Sequence, residues 1–205
     1  MYKRQVLTKL FNVARFASQF DVPDDLESVP DDLAPEDRWL LAEFQQTMHT
    51  VKEAWSNLDI YTATQALKTF GTGLLPSHYL EMVKSRLYDD DGAAAWTLHR
   101  TVRDFMAAFS PVCPFFTHHI SSTVYGSSAV DVDAFPAPAL GEVDHGTEEG
   151  ARLCALSHDL QEFNGQTWAA KKERGISLNQ PIEGVAVPEE LAEFEATLTR
   201  MHQLT

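Results

Sequence analysis

The feature that most constrains the fold is an apolar ladder between residues 40 and 58. Leu40, Phe44, Met48, Val51, Trp55 and Leu58 recur at steps of three and four, the spacing that aligns side chains along one stripe of an α-helix. A striped helix gains little stability alone and must bury its stripe against others, so the expected architecture is a helix bundle. The spacing predicts a helix from Glu36 to about Asn57. Asp59 is placed to cap a third helix, in which Ala63, Leu67 and Phe70 continue the stripe. Gly71, Gly73 and Pro76 then predict a break or kink over 71–76, with helix resuming from His78 to Tyr88. Leu98, Val102, Phe105 and Phe109 repeat the bundle spacing before Pro111, and a short helix from about Phe115 to Tyr125 is stopped by Gly126.

Around this ladder the chain divides into three parts. Residues 1–136 form an antiparallel bundle, entered by a helix from about residue 3 to Phe20 and a Pro- and Asp-rich linker over 21–36. An apolar stretch near Val130–Phe135 ties down the bundle's end. Residues 137–149 are a linker. Residues 150–205 read as a helix to Arg174, a polar turn through Asn179-Gln180-Pro181, a short strand over Gly184-Val185-Ala186-Val187 and a helix opened by Pro188. The fold class is therefore mainly α, a bundle followed by a small, truncated α/β subdomain. The chain starts within a helix and ends at Leu204-Thr205 after a half-built α/β region, which points to a segment of a longer polypeptide. With no cleavable apolar signal and no run of about 18–20 apolar residues, a cytoplasmic location away from membranes is expected.

Charge is distributed unevenly. The whole chain carries −14, yet residues 1–20 hold Lys3, Arg4, Lys9 and Arg15 with no acid, against 12 cations and 30 acids in the rest. Wound at about 100° per residue, the first helix puts Val6, Leu10, Val13, Ala14, Ala17 and Phe20 on one apolar arc. Arg4, Thr8, Asn12 and Arg15 fall opposite, with Lys9 and Phe16 at one boundary. Cations neutralise phosphate, an amide bonds base edges and an aromatic ring stacks on an unpaired base. The other reading of this helix is an ordinary amphipathic one with solvated cations, on an acidic helical interaction module that never meets RNA. An acidic body repels phosphate in dilute solution. At ~1 M ionic strength the screening length is about 3 Å, so only seven Lys among many acids fits a parent working in concentrated salt, as in a halophilic archaeon.

No catalytic or metal site emerges. Cys113 and Cys154 are 41 residues apart without ligand spacing and read as buried thiols or, alternatively, a disulfide. His118-His119 point about 100° apart on a helix and cannot share one ion, so both are surface histidines. Asp131, Asp133 and Asp89-Asp90-Asp91 lack the Gly-centred ligand loop of a calcium site. Lys171-Lys172-Glu173-Arg174 is a second basic cluster. It is either a contact for RNA backbone through Lys171, Lys172 and Arg174, or cations favourably placed at a helix C-terminus, worth up to about 1 kcal/mol.

Four blocks of sequence in order resemble one family. Lys9-Leu10-Phe11-Asn12-Val13-Ala14-Arg15-Phe16 is similar to the "K-L-W/Y-N-A-x-R-F" segment that opens the anticodon-binding helical domain of valyl-tRNA synthetases. Asp37-Arg38-Trp39-Leu40-Leu41 resembles "D-R-W-I-L". The run from Tyr79 to Tyr88 resembles "Y-L-E-L-V-K-P-R-L-Y", and Ser110 to Thr117 resembles "A-P-F-M-P-F-I-T", with Val124-Tyr125-Gly126 closing that helix. Leucyl and isoleucyl synthetases share the bundle, but the Asn12–Phe16 block and the Met82–Tyr88 block, similar to "L-V-K-x-R-L-Y", favour valyl.

The resemblance implies a class I synthetase anticodon-binding bundle whose partners are the anticodon stem-loop of valine tRNA and the catalytic domain of the parent chain, in a monomer. It implies that Lys9 and Arg15 engage phosphate or a base edge, that Asn12 supplies an amide, and that Phe16 stacks beneath an anticodon base. The bases read would be the central A and final C. Arg4 joins this set by helical phase. The family's ATP- and Mg2+-dependent chemistry needs an H-x-G-H motif and a K-M-S-K-S loop, and neither is in this sequence. Val83-Lys84-Ser85-Arg86 is superficially like the second but falls inside an expected helix. The segment should therefore bind tRNA without a cofactor, and neither activate valine nor edit mischarged tRNA.

Overall fold

The computed structural model describes residues 2–127 and 140–205. The expected apolar stretch at 130–135 and the acids Asp131 and Asp133 lie outside them. Nine α-helices are present among the described residues: α1 (Tyr2–Ala17), α2 (Pro35–Ser56), α3 (Ile60–Thr69), α4 (Leu80–Tyr88), α5 (Gly92–Phe109), α6 (Pro114–Tyr125), α7 (Glu148–Ala155), α8 (Ser157–Glu173) and α9 (Glu195–His202). The chain is mainly α, as its periodicity requires. Leu40, Phe44, Met48 and Val51 of the α2 ladder are buried and Trp55 is half-buried. Leu58 departs from the ladder. It sits beyond the end of α2 at φ +58 and is 84% exposed.

Side-chain caps set several boundaries. Asp59 accepts from the Thr62 N–H at 3.0 Å, Asp91 from Ala94 at 3.0 Å and Thr147 from Gly150 at 3.0 Å, each satisfying an orphan donor of a first turn. Gly126, at φ +64, ends α6.

The break expected over 71–76 is instead a continuous π-helical segment, Phe70–Tyr79, joining α3 to α4. Its wide turns absorb Pro76, which has no N–H to give an α-helical ladder. Gly71 is there because α1 and α5 come close: a Cβ would lie 2.5 Å from the Phe105 ring and 2.8 Å from Leu10. Tertiary packing, not local propensity, holds the segment in helical form.

Two of the resembling blocks meet inside the bundle. Arg86 Nη1 lies 2.8 Å from Asp37 Oδ2 and 3.0 Å from Glu36 Oε1, and its Nε donates to Asp91 Oδ2 at 2.8 Å. Tyr79 donates its hydroxyl to Asp37 Oδ1 at 2.8 Å. This cluster fastens the start of α2 to the π segment and the end of α4. A buried charge without its partner is strongly destabilising, so these residues act as a unit.

Residues after 140 share one apolar core with the bundle. Trp39 donates its indole N–H to Ser157 at 2.7 Å, Ser157 bonds Glu43, and Arg38 pairs with Glu149 at 2.6 Å. The single helix expected over 150–174 is two, α7 and α8, meeting at Leu156. The strand expected at 184–187 is absent, which corrects the α/β reading of this region. Only an isolated parallel bridge between Ile182 and Leu204 forms among the described residues. One extended segment with a single bridging partner cannot build a ladder, and Val185 and Val187 pack on the core instead. No described helix is long and apolar enough to cross a membrane.

Candidate nucleic-acid interface

The amphipathic phase of α1 places its groups as the sequence requires. Leu10, Val13, Ala14 and Ala17 are buried, and Arg4, Thr8, Lys9, Asn12 and Arg15 are exposed. The apolar face rests on α5 and the π segment. Along the boundary of that contact runs a cleft of about 280 Å³, lined by Lys9, Asn12 and Phe16 of α1, Pro76 and Ser77 of the π segment, and Glu81 and Lys84 of α4. This lies just below the ~300 Å³ lower end of small-molecule pockets, a size suited to one unstacked base.

Three of the five expected anticodon residues therefore come together. Phe16 is half-buried and stands edge-on to Phe20 (5.2 Å between centroids) and Tyr88 (6.4 Å). Those neighbours fix its ring while leaving part of it accessible. The Lys9 ammonium donates to the Thr72 carbonyl at 3.0 Å, so it also hooks α1 to the π segment. Asn12 makes no side-chain hydrogen bond among the described residues, and its amide stays available at the cleft. Arg15 and Arg4 lie one step further round the helix, exposed and outside the cleft lining. Neither guanidinium has a partner among the described residues.

Lys84 was not among the residues expected here. It faces the cleft from α4, exposed and without an ion pair among the described residues, and Glu81 shares that rim. The signal was the α4 phase, in which Glu81, Lys84 and Tyr88 mark one exposed stripe.

The second basic cluster behaves differently. The expectation that Lys171 contacts RNA backbone is corrected: its side chain is fully buried at the end of α8, where the ammonium donates to the carbonyls of Leu178 and Gln180, both at 2.7 Å. Burial lowers its pKa, and the two carbonyls hold the loop after α8 in place. Arg174 is exposed but donates to the Glu183 carbonyl at 2.8 Å, and Lys172 is exposed.

Beside Lys171 runs a chain of ring nitrogens and an amide. His202 Nε2 is 2.7 Å from Asn164 Oδ1, and Asn164 Nδ2 is 3.2 Å from His78 Nδ1. Donor and acceptor roles close if both imidazoles are neutral. Burial, aided by the Lys171 charge, pushes His202 down to about 4, and burial lowers His78 as well.

His118 and His119 are exposed on α6, as expected. His158, Asp159 and Glu162 bring ligand atoms within 4.8 Å of one another on α8, all three exposed.

An all-helical bundle whose cationic leading helix borders a base-sized cleft has the build of a tRNA ligase's helical domain. Comparison with known families agrees, since the family described as the anticodon-binding domain of tRNA ligase matches residues 37–186. The chain belongs to that family. Its relatives include the valine–tRNA ligase of Pyrobaculum aerophilum, 32% identical over 98% of this chain and 25% of the relative. Those of Saccharolobus solfataricus (30%; 88% and 21%) and Aeropyrum pernix (33%; 90% and 22%) are also similar. The chain thus spans about a quarter or less of the length of these relatives. The matched family region begins at Asp37, beyond α1, whereas the Pyrobaculum alignment takes in nearly the whole chain, α1 included.

Proposed function

We propose that this chain is the anticodon-reading segment of a valine–tRNA ligase, working as a tRNA-binding element of a longer monomeric, cytoplasmic enzyme. The observation that carries the reading is the α1 cleft, where Phe16, Asn12, Lys9 and Lys84 converge on a base-sized space in a chain otherwise dominated by acids. The names of its relatives supply the amino acid, valine. In this reading Phe16 stacks on an anticodon base, Asn12 bonds a base edge, and Lys9 and Lys84 face the phosphates on either side of the cleft. Arg15 and Arg4 hold the strand leaving it. Lys172 is a candidate backbone contact, with Arg174 beside it, while Lys171 is not one. No cofactor is needed for this task, since ATP and Mg2+ belong to the catalytic part of such an enzyme.

The test is a fluorescence anisotropy titration with the anticodon stem-loop of a valine tRNA and with the same stem-loop carrying a changed central base. Tighter binding of the unaltered loop, weakening as salt rises, is expected. Equal affinity for the two loops rejects the reading and leaves an acidic helical interaction module.

A further inference from the structure

One surface of the molecule is unlike the rest. Residues 105–130 contain no Asp, Glu, Lys or Arg, in a chain that is 22% charged. Among the described α-helices α6 alone carries no such side chain. Its inner face (Thr117, Ile120, Ser121) is buried. Its exposed residues, Pro114, Phe115, His118, His119, Ser122 and Thr123, fall at helical steps along one outer stripe. Near its start Phe115 is 91% exposed, the most exposed large apolar side chain described.

An isolated exposed aromatic needs no explanation by itself. An exposed Phe on the one described α-helix that has no charged side chain at all, on a protein of net charge −14, does. Loss of charged residues around an aromatic anchor is what distinguishes the centre of a protein interface from other surface. The α6 helix offers no Lys or Arg to a strongly acidic partner or to RNA phosphates. The relatives continue for three quarters or more of their length beyond the aligned part, and that body must meet this domain somewhere.

We propose that the outer face of α6, anchored by Phe115, docks on the remaining body of a tRNA ligase chain. This rests on the reading of the chain as part of such an enzyme. The contact is an interdomain one, and its apolar centre sets the bundle's angle to the body while the α1 cleft stays open for RNA.

Hydroxyl-radical footprinting tests it. The probe is the Pyrobaculum aerophilum enzyme with its matching segment replaced by this chain, compared with this 205-residue chain alone. Phe115 is expected to react at least tenfold more slowly in the chimera, with exposed Tyr61 as the internal reference. Equal reactivity in both overturns the proposal. So does protection in the isolated chain that grows with concentration, which assigns the face to a second copy. If the chimera does not fold, footprinting of the intact Pyrobaculum enzyme over the segment aligned with residues 111–123 decides, protection supporting and full reactivity overturning. Phe115→Asp in the isolated chain should leave stem-loop affinity within twofold, and a larger loss would place the face in the RNA site and overturn the proposal. If no stem-loop binds at all, the anticodon reading fails while the footprint still reports on docking.

Discussion

The two basic clusters, on α1 and at the end of α8, look alike as sequence and differ as structure. On α1, Arg4, Arg15 and Asn12 keep their polar groups unengaged among the described residues, and Lys9 spends only one bond on Thr72. At the end of α8 the Lys171 ammonium is sealed between two carbonyls, and Arg174 is tied to a third. A cation marks a binding surface when its hydrogen bonds are unmet, and marks a structural clamp when the backbone has met them. Residue type alone does not separate the two.

The comparison breaks first at Lys171. Lys171→Met should lower the unfolding free energy by about 2 kcal/mol, because the carbonyls of Leu178 and Gln180 lose their shared charged donor, and should leave stem-loop affinity unchanged. Urea unfolding and anisotropy on the same sample check both halves.

Acid should act on the same end of the molecule. The imidazole of His202 titrates near 6.5 in the unfolded chain and at about 4 in the fold. Between those values protons bind only the unfolded chain, so this contribution is whole above pH 6.5 and is lost as pH falls to 4. The loss reaches up to about 3 kcal/mol. Urea midpoints at pH 7, 5.5 and 4.5 measure it, and His202→Gln should flatten the dependence.

At the α1 end the effects should appear in binding. Phe16→Ala is expected to weaken stem-loop affinity by about 1–3 kcal/mol, the range for a stacked base, with a smaller stability loss from its contacts to Phe20 and Tyr88. Unchanged affinity in anisotropy would place Phe16 purely in packing. Arg15→Gln should reduce the slope of log affinity against log salt by about one, with stability unaltered. The same change at Lys84 tests the cleft's other rim. Lys172→Gln should do least, and a slope change there equal to that of Arg15→Gln would erase the contrast.

The bundle was legible because burial imposes a helical period, and Leu40, Phe44, Met48 and Val51 obey it. The caps at Asp59 and Asp91 are local chemistry, and the sequence pattern marks the first of them. The π segment was not legible. Gly71, Gly73 and Pro76 read as a break, and only the approach of Phe105 and Leu10 to Gly71 explains why helix continues. The strand at 184–187 failed for a related reason, since extended residues need a neighbour that sequence does not name. The exposed face of α1 followed from its phase. Phase also exposes Lys84 on α4, but its place beside the α1 cleft and the burial of Lys171 did not follow, because both depend on which distant segment packs alongside.

The Arg86 cluster has a consequence for behaviour in brine. Its partners touch at 2.8–3.0 Å, and Glu36 and Asp37 are shut off from solvent. Dissolved ions weaken attraction across open water and cannot slip between groups already in contact. The clamp holding the ends of α2 and α4 is therefore blind to salinity, while the outer helix loses its long-range pull on phosphate as electrolyte accumulates. Shape is kept by charges hidden from the medium, and only the grip answers to it.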